Sequence, residues 1–242
     1  MSDNSAQFRP AGDDVFGRIA GRYDRLCDLF SLGIHRLWKS RMADRIAREP
    51  GRHLLDLASG TGDIPLRLLR QLGPSASTWR IRVSDISSEM LRIARGRLAP
   101  FGSSIEIEDQ NAERINSPDG SIDIVSMSFG LKIVDRSRVL PEVFRVLRPG
   151  GVFLCLEASR IVVPGLHPLY LTYMDICTPL IGRLATGGDA SAYEYLLRGV
   201  HDFPDQRALK KELEQHGFED ITFESLSLGI VALHRAIKPF TS

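Results

Sequence analysis

The sequence predicts an α/β fold: a mostly parallel seven-stranded sheet, closed by an antiparallel last strand, with helices between the strands. Three observations predict it. Short apolar runs alternate with amphipathic stretches of about 10–15 residues from His53 to Leu156, the rhythm of parallel strands joined by crossover helices. The tight turn Gly60-Thr61-Gly62 follows the first apolar run directly. Two β-rich runs near the C-terminus lie only a few residues apart, a spacing that joins antiparallel neighbours.

Each element has its own signal. Residues 1–14 mix Ser, Asp, Asn, Gly and Pro and read as a flexible tail. Residues 15–50 form a helical cap, broken near Ser31-Leu32-Gly33. The first strand is His53–Leu57, followed by a helix over Asp63–Leu72. The next strands are Arg80–Ser84 and Ser104–Glu108, and the helix between them, Ser87–Leu98, has the Ser87 hydroxyl to cap its start. Strand Ile122–Met127 leads to a helix over Arg136–Leu147, and Arg148-Pro149-Gly150-Gly151 reads as a helix stop joined to a turn. Strand Val152–Leu156 comes next. Residues 160–200 hold prolines, glycines and tyrosines without a clear strand, and read as an inserted lid or substrate-binding element. A helix over Asp205–His216 stops at Gly217, and Ile221–Ser225 with Gly229–Ala236 completes the sheet. Residues 15–242 thus read as one domain.

Bulk properties exclude several classes. The 25% charged and 43% hydrophobic fractions are those of a soluble globular protein. A net charge of +1 supplies no field to attract nucleic acid. Cys27, Cys155 and Cys177 lack metal-ligand spacing, so no metal site is expected. Cys155, inside an apolar run, reads as a buried thiol in a reducing, cytoplasmic setting. No run reaches the ~18 apolar residues that span a bilayer.

The candidate site begins at the glycine turn. Strand, acidic residue, glycine turn and helix in that order build a nucleotide-sized pocket at a strand's carboxyl end. Asp56 precedes the turn, and Ser59, Gly60, Thr61 and Gly62 form it. Pro65 stands where a dinucleotide fingerprint has its third glycine, which argues against NAD. Asp56 and Asp63 flank the turn; two carboxylates repel a pyrophosphate and suit a cation. S-adenosyl-L-methionine carries a sulfonium and an ammonium. Asp85 ends the second strand and can accept both ribose hydroxyls. After the third strand, a polar side chain such as Asn111 can read the adenine amino group, and the small Ala112 leaves room for the ring. Ser128 follows the fourth strand, beside the methionine part.

At this point the chain resembles class I S-adenosylmethionine-dependent methyltransferases, and more closely the UbiE-type ubiquinone/menaquinone-biosynthesis C-methyltransferases. The resemblance runs from Val15 to Pro239. It is carried by Arg22-Tyr23-Asp24, Leu55-Asp56-Leu57-Ala58, Gly60-Thr61-Gly62-Asp63, Asp85-Ile86 with Met90-Leu91, Asn111-Ala112-Glu113 and Ser128-Phe129-Gly130-Leu131. The segments most specific to that family are His35-Arg36-Leu37-Trp38-Lys39 and Val231-Ala232-Leu233-His234-Arg235. The resemblance implies a Rossmann-like methyltransferase fold with an acceptor-side insertion at 160–200. It also implies S-adenosyl-L-methionine as cofactor and S-adenosyl-L-homocysteine as product, with contacts from Thr61, Asp85, Asn111, Ala112 and Ser128; Ile86 and Met90, beside Asp85, are further cofactor candidates. The implied partner is a small aromatic or quinol acceptor, lipophilic when it carries a polyprenyl tail. Peripheral membrane contact at the inner face and a homodimer are compatible with this reading; nucleic acid is not a partner.

Methylating a ring carbon requires an adjacent hydroxyl to lose its proton, and a phenol has a pKa of roughly 10, so a base or a nearby cation is expected. Tyr23, His35 and Lys132 are the catalytic candidates, with Glu157 and His234 behind them. The quinone enzymes usually continue after Gly130-Leu131 with Arg-Asn, whereas this chain has Lys132-Ile133, which keeps a charge but loses the planar fork and an amide. Ala158 replaces a Phe, which implies a wider acceptor pocket. Met174, Tyr170, Tyr173, Tyr193 and Tyr195 are candidates to line it. Arg36, Lys39, Arg41, Arg45 and Arg48, interleaved with Leu37, Trp38, Met42 and Ile46, form a basic amphipathic helix that suits either a solvated face or an anionic membrane.

Overall fold

The computed structural model describes residues 20–102, 105–163, 165–186 and 200–240. Its strands are β1 (His53–Leu57), β2 (Arg80–Asp85), β3 (Ile105–Asp109), β4 (Ile122–Ser128), β5 (Leu147–Ala158), β6 (Glu219–Leu226) and β7 (Val231–Ile237). They form one sheet in the order β3-β2-β1-β4-β5-β7-β6. β1 pairs in parallel with β2 and β4, setting Asp56 opposite Val83 on one side and Ser126 on the other. β7 slots between β5 and β6, antiparallel to both. Strand order reverses between β1 and β4, the switch point where open α/β sheets bind ligands.

Among the described residues the helices are α1 (Tyr23–Ser31), α2 (His35–Arg48), α3 (Asp63–Leu72), α4 (Ser88–Leu98), α5 (Arg136–Val146), α6 (Leu166–Thr186) and α7 (Gln206–Gln215). Both sheet faces are covered, which is why the central strands read as nearly unbroken apolar runs. On one face, Met42 and Ile46 of α2, Leu68 of α3 and Leu91 of α4 pack against Leu54, Ile81, Ile124 and Leu154. On the other, Val139 and Val143 of α5 and Leu213 of α7 pack against Leu55, Val125 and Phe153. Ser87 caps α4 as expected, its hydroxyl accepting from the Met90 N–H. Leu32 and Gly33, both at positive φ, break the cap between α1 and α2.

Two expectations are revised. Arg148-Pro149-Gly150-Gly151 does not separate helix from strand; it lies inside β5. Leu147 pairs with Ile122 and Val152 with Ile124, so the extra residues bulge from the sheet. Gly150, at φ 74°, makes the bend, while the Gly150 N–H donates to the Lys238 carbonyl and the Lys238 N–H to that of Gly151. The 160–200 insertion, expected as a lid or substrate-binding element of no stated secondary structure, contains a 21-residue helix, α6. Pro168 is tolerated there because it sits in the first turn, whose N–H groups have no helical partner. Tyr193 and Tyr195 lie outside the described residues. No helix among the described residues is long and apolar enough to cross a membrane.

The basic run on α2 is a docked helix. Met42, Ala43 and Ile46 are buried, and four of its five cations are ion-paired within the protein: Arg36 with Asp28, Lys39 with Asp63, Arg41 with Glu224 and Arg45 with Glu49.

Candidate active site

The predicted contact residues gather at the carboxyl ends of β1 to β4. Asp56 is the deepest of them, only 1% exposed. Its Oδ1 accepts from the Ser126 hydroxyl at 2.5 Å, a bond set by the β1–β4 register. Its backbone carbonyl accepts from the hydroxyls of Ser59 (2.7 Å) and Ser84 (3.1 Å). Burial, aided by repulsion from Asp85, raises its pKa to about 7, although Ser126, Ser59 and Lys39 pull the other way.

The two glycines have different reasons. Gly60, at φ 56°, faces open space, so only its backbone conformation asks for glycine. A Cβ on Gly62 would meet Ala94 and Leu98 at 3.2 Å, so this position lets α3 approach α4. The Gly60 N–H and the Ser87 N–H donate to opposite oxygens of Asp85, at 2.8 and 2.9 Å.

Downstream, Ile86 is 41% exposed while Met90 is buried. Asn111 is exposed and its Oδ1 accepts from the Glu113 N–H, and Ala112 is buried beside it. Ser128 ends β4. Ala58 and Phe129, which follow β1 and β4, both adopt left-handed φ values of 49° and 56°. For residues with side chains this conformation is costly and marks a backbone that its surroundings over-determine. Two of the buried polar atoms that lack a hydrogen-bond partner, Asp56 Oδ2 and Ser128 Oγ, belong to this site. Buried polar groups are rarely left so, and these two fit the polar end of an amino-acid-bearing cofactor.

Sequence reasoning missed part of the neighbourhood. Thr61 donates its hydroxyl to Asp24 (3.0 Å), and Arg97 donates to both Asp24 and the Thr61 hydroxyl at 2.7 Å. Asp63 is held by Lys39 (3.1 Å), Arg67 (3.1 Å) and Arg97 (3.6 Å). It is therefore neutralised within the protein, and of the two expected flanking carboxylates only Asp56 lacks a cation partner among the described residues, its own charge being disfavoured by burial. Arg97 lies 36 residues from Thr61. Its helical pattern announces a solvent face, not a partner on another element.

The catalytic candidates separate. His35 is buried, and its Nδ1 lies 2.7 Å from the Ser31 hydroxyl, which itself donates to the Cys27 carbonyl at 2.6 Å. With that hydroxyl's one proton given to the Cys27 carbonyl, the network favours the tautomer protonated on Nδ1, with the lone pair on Nε2. Burial and the nearby Lys39 lower the His35 pKa, which keeps the ring neutral. Lys132 and Glu157 form an ion pair at 2.9 Å with side chains 4% and 1% exposed. His234 is buried on the α7 face, with Nε2 2.9 Å from the Gln206 carbonyl, a structural position. The Tyr23 side chain lies outside the described part of the structure.

Each of the two family-specific segments ties the cap to the β6–β7 end of the sheet. Trp38 Nε1 donates to Ser227 (2.9 Å), and its ring lies 6.3 Å from that of Phe129. At the other end of α2, Arg235 of β7 grips Glu49 through two 2.8 Å bonds. The cap is thereby fixed over the sheet beside the glycine turn.

Known proteins agree with this architecture. Among solved structures, a Thermotoga maritima protein described as an S-adenosylmethionine-dependent methyltransferase, possibly acting on histamine, superposes with a TM-score of 0.64 at 17% identity, covering 92% of this chain and 97% of its own. The citrinin polyketide synthase C-methyltransferase domain gives 0.58 at 16% identity, covering 78% of this chain and 46% of that one. Those likenesses establish the fold. In sequence, the chain is 42% identical to the ubiquinone/menaquinone biosynthesis C-methyltransferase UbiE of Acidiphilium cryptum, over 91% of this chain and 88% of that protein. It is 40% identical to the UbiE of Legionella pneumophila, over 93% and 90%. The ubiE/COQ5 methyltransferase family profile matches residues 4–238. With nearly its whole length matched and its most distinctive segments fixing the cap over the site, this chain belongs to the ubiE/COQ5 methyltransferase family.

Proposed function

We propose that the protein transfers a methyl group from S-adenosyl-L-methionine to a ring carbon of a small, lipophilic quinol. The observation that carries this reading is the buried Asp56 at the β1–β4 switch point, with Oδ2 unpartnered beside a glycine turn, in a chain about 40% identical to quinone-biosynthesis C-methyltransferases. In this reading Asp56 and Ser128 hold the methionine part, and the turn Ser59-Gly60-Thr61-Gly62 lies against the cofactor. Asp85 accepts the ribose hydroxyls. Ile86, Met90, Asn111 and Ala112 surround the adenine.

The bound cofactor supplies an electrophilic methyl group on a sulfonium and leaves as S-adenosyl-L-homocysteine. The chain's own task is to align the acceptor carbon and to take up a hydroxyl proton. His35 is the proposed proton acceptor, because its Nδ1–H is tied to Ser31 and its Nε2 is unprotonated. The test is incubation with methyl-labelled S-adenosyl-L-methionine and a reduced 2-prenyl-1,4-naphthoquinone. Label on a ring carbon is the expected result. Label on oxygen or nitrogen, or no label in the acceptor, would remove the C-methylation of quinols from the account.

A further inference from the structure

Lys132 occupies the position where the sequence departs from the quinone enzymes, and its surroundings assign it a different task from proton transfer. Its ammonium donates to Glu157 Oε1 (2.9 Å) and to the Phe129 carbonyl (2.6 Å), and it lies 5.0 Å from the centre of the Phe129 ring. Glu157 is equally committed: its carboxylate also accepts from the Lys132 N–H (3.1 Å) and the Ala158 N–H (2.8 Å). An ammonium has no lone pair to take a proton, and this one spends its donors inside the protein.

Its hydrogen bonds instead fix the backbone. Phe129 holds a left-handed φ of 56°, and its N–H donates to the Leu156 carbonyl at 2.8 Å, so Lys132 secures the carbonyl side of the same residue. The next residue, Gly130, lies against the residue that leads into the cofactor turn: a Cβ there would meet the Ala58 Cβ at 2.7 Å. The Phe129 ring faces outward to Trp38 of the cap. One buried ion pair thus sets a turn that meets the residue leading into the cofactor turn on one side and the cap on the other.

We infer that Lys132 is a positioning residue: anchored by Glu157, it fixes the Phe129-Gly130 turn as the wall against which the methyl acceptor is aligned. This rests on the methyltransferase reading of the site. Lys132→Arg keeps the charge. The double variant Lys132→Met/Glu157→Met removes both charges at similar volume, a change that buried ion pairs commonly survive without unfolding. The protein has two tryptophans, so 5-fluorotryptophan labelling gives two 19F resonances, and Trp38→Phe assigns them.

The double variant should lower the affinity for S-adenosyl-L-homocysteine, measured by calorimetry, by no more than about tenfold, because Asp85 and Gly60 are held by bonds that do not involve the ion pair. It should shift the Trp38 resonance and lower kcat/KM for the reduced prenylnaphthoquinone about 30-fold, since small misplacements are expensive in an aligned displacement. Lys132→Arg should restore both, with an unchanged pH–rate profile. An unshifted Trp38 resonance in the double variant would overturn the inference, as would a pH limb displaced by Lys132→Arg, the mark of a proton acceptor. If the unaltered protein fails to bind S-adenosyl-L-homocysteine, the cofactor reading falls and this inference with it. If it binds but does not methylate the quinol, only the acceptor falls, and the Trp38 resonance decides.

Discussion

Asp56→Asn should flatten the pH dependence of stability. The Asp56 carboxyl has a pKa of about 7 in the folded protein against 3.8 in a free chain, chiefly because burial penalises its charge. Between those values the folded state holds a proton that the unfolded state releases, so stability falls as pH rises through this window. From pH 5 to pH 8 the loss amounts to about 3 kcal/mol, at 1.36 kcal/mol per pH unit up to the folded pKa. Asparagine cannot ionise, and its amide oxygen still accepts from Ser126. The assay is urea unfolding of both proteins at pH 5 and pH 8, in the absence of cofactor. The stability difference between variant and parent should move in the variant's favour by about 3 kcal/mol across that range, which cancels any constant packing penalty. A difference that stays constant within about 0.5 kcal/mol would refute the reasoning, because it would mean that Asp56 ionises as freely in the folded chain as outside it.

Other perturbations test neighbouring parts. Asp85→Ala should weaken S-adenosyl-L-homocysteine binding about 100-fold by calorimetry, the loss of two charge-assisted hydrogen bonds; unchanged affinity would relocate the ribose. His35→Gln, which preserves a polar contact to Ser31, should lower kcat about 100-fold and leave cofactor affinity unchanged; an unchanged kcat would dismiss it as the proton acceptor. Gly130→Ala forces a Cβ to within 2.7 Å of the Ala58 Cβ and should reduce urea-unfolding stability by about 1–3 kcal/mol. Arg235→Met leaves Glu49, 4% exposed, with Arg45 as its remaining ion-pair partner, and should destabilise the fold by about 3 kcal/mol.

The sheet was largely legible because its strands are buried on both faces and bounded by turn residues. His53–Leu57 and Asp63–Leu72 fall where patterning sets them. The antiparallel final pair follows from its short connection. β5 runs longer than its pattern predicts because Pro149-Gly150-Gly151 has turn chemistry, and only the pairing with β4 and with Lys238 reveals a bulge carried inside a strand. α6 is not legible in the sequence because its prolines and glycine mask a helix. At the site, residues adjacent to the glycine turn could be named from local order. Ser126 on Asp56, Arg97 on Thr61 and Lys132 on the Phe129 carbonyl depend on register and helix packing, and no local pattern encodes them.

The grip of Arg235 on Glu49 spans 186 residues of sequence. During synthesis the cap helix leaves the ribosome long before the strand that anchors it. A nascent chain can assemble β1 to β4 and the glycine turn while α2 still lacks Arg235, Glu224 and Ser227. Contacts of such sequence separation are slow to form, and these depend on the strands that are made last. A chain cut short before β6 would carry the cofactor turn without any of these three anchors of its cover.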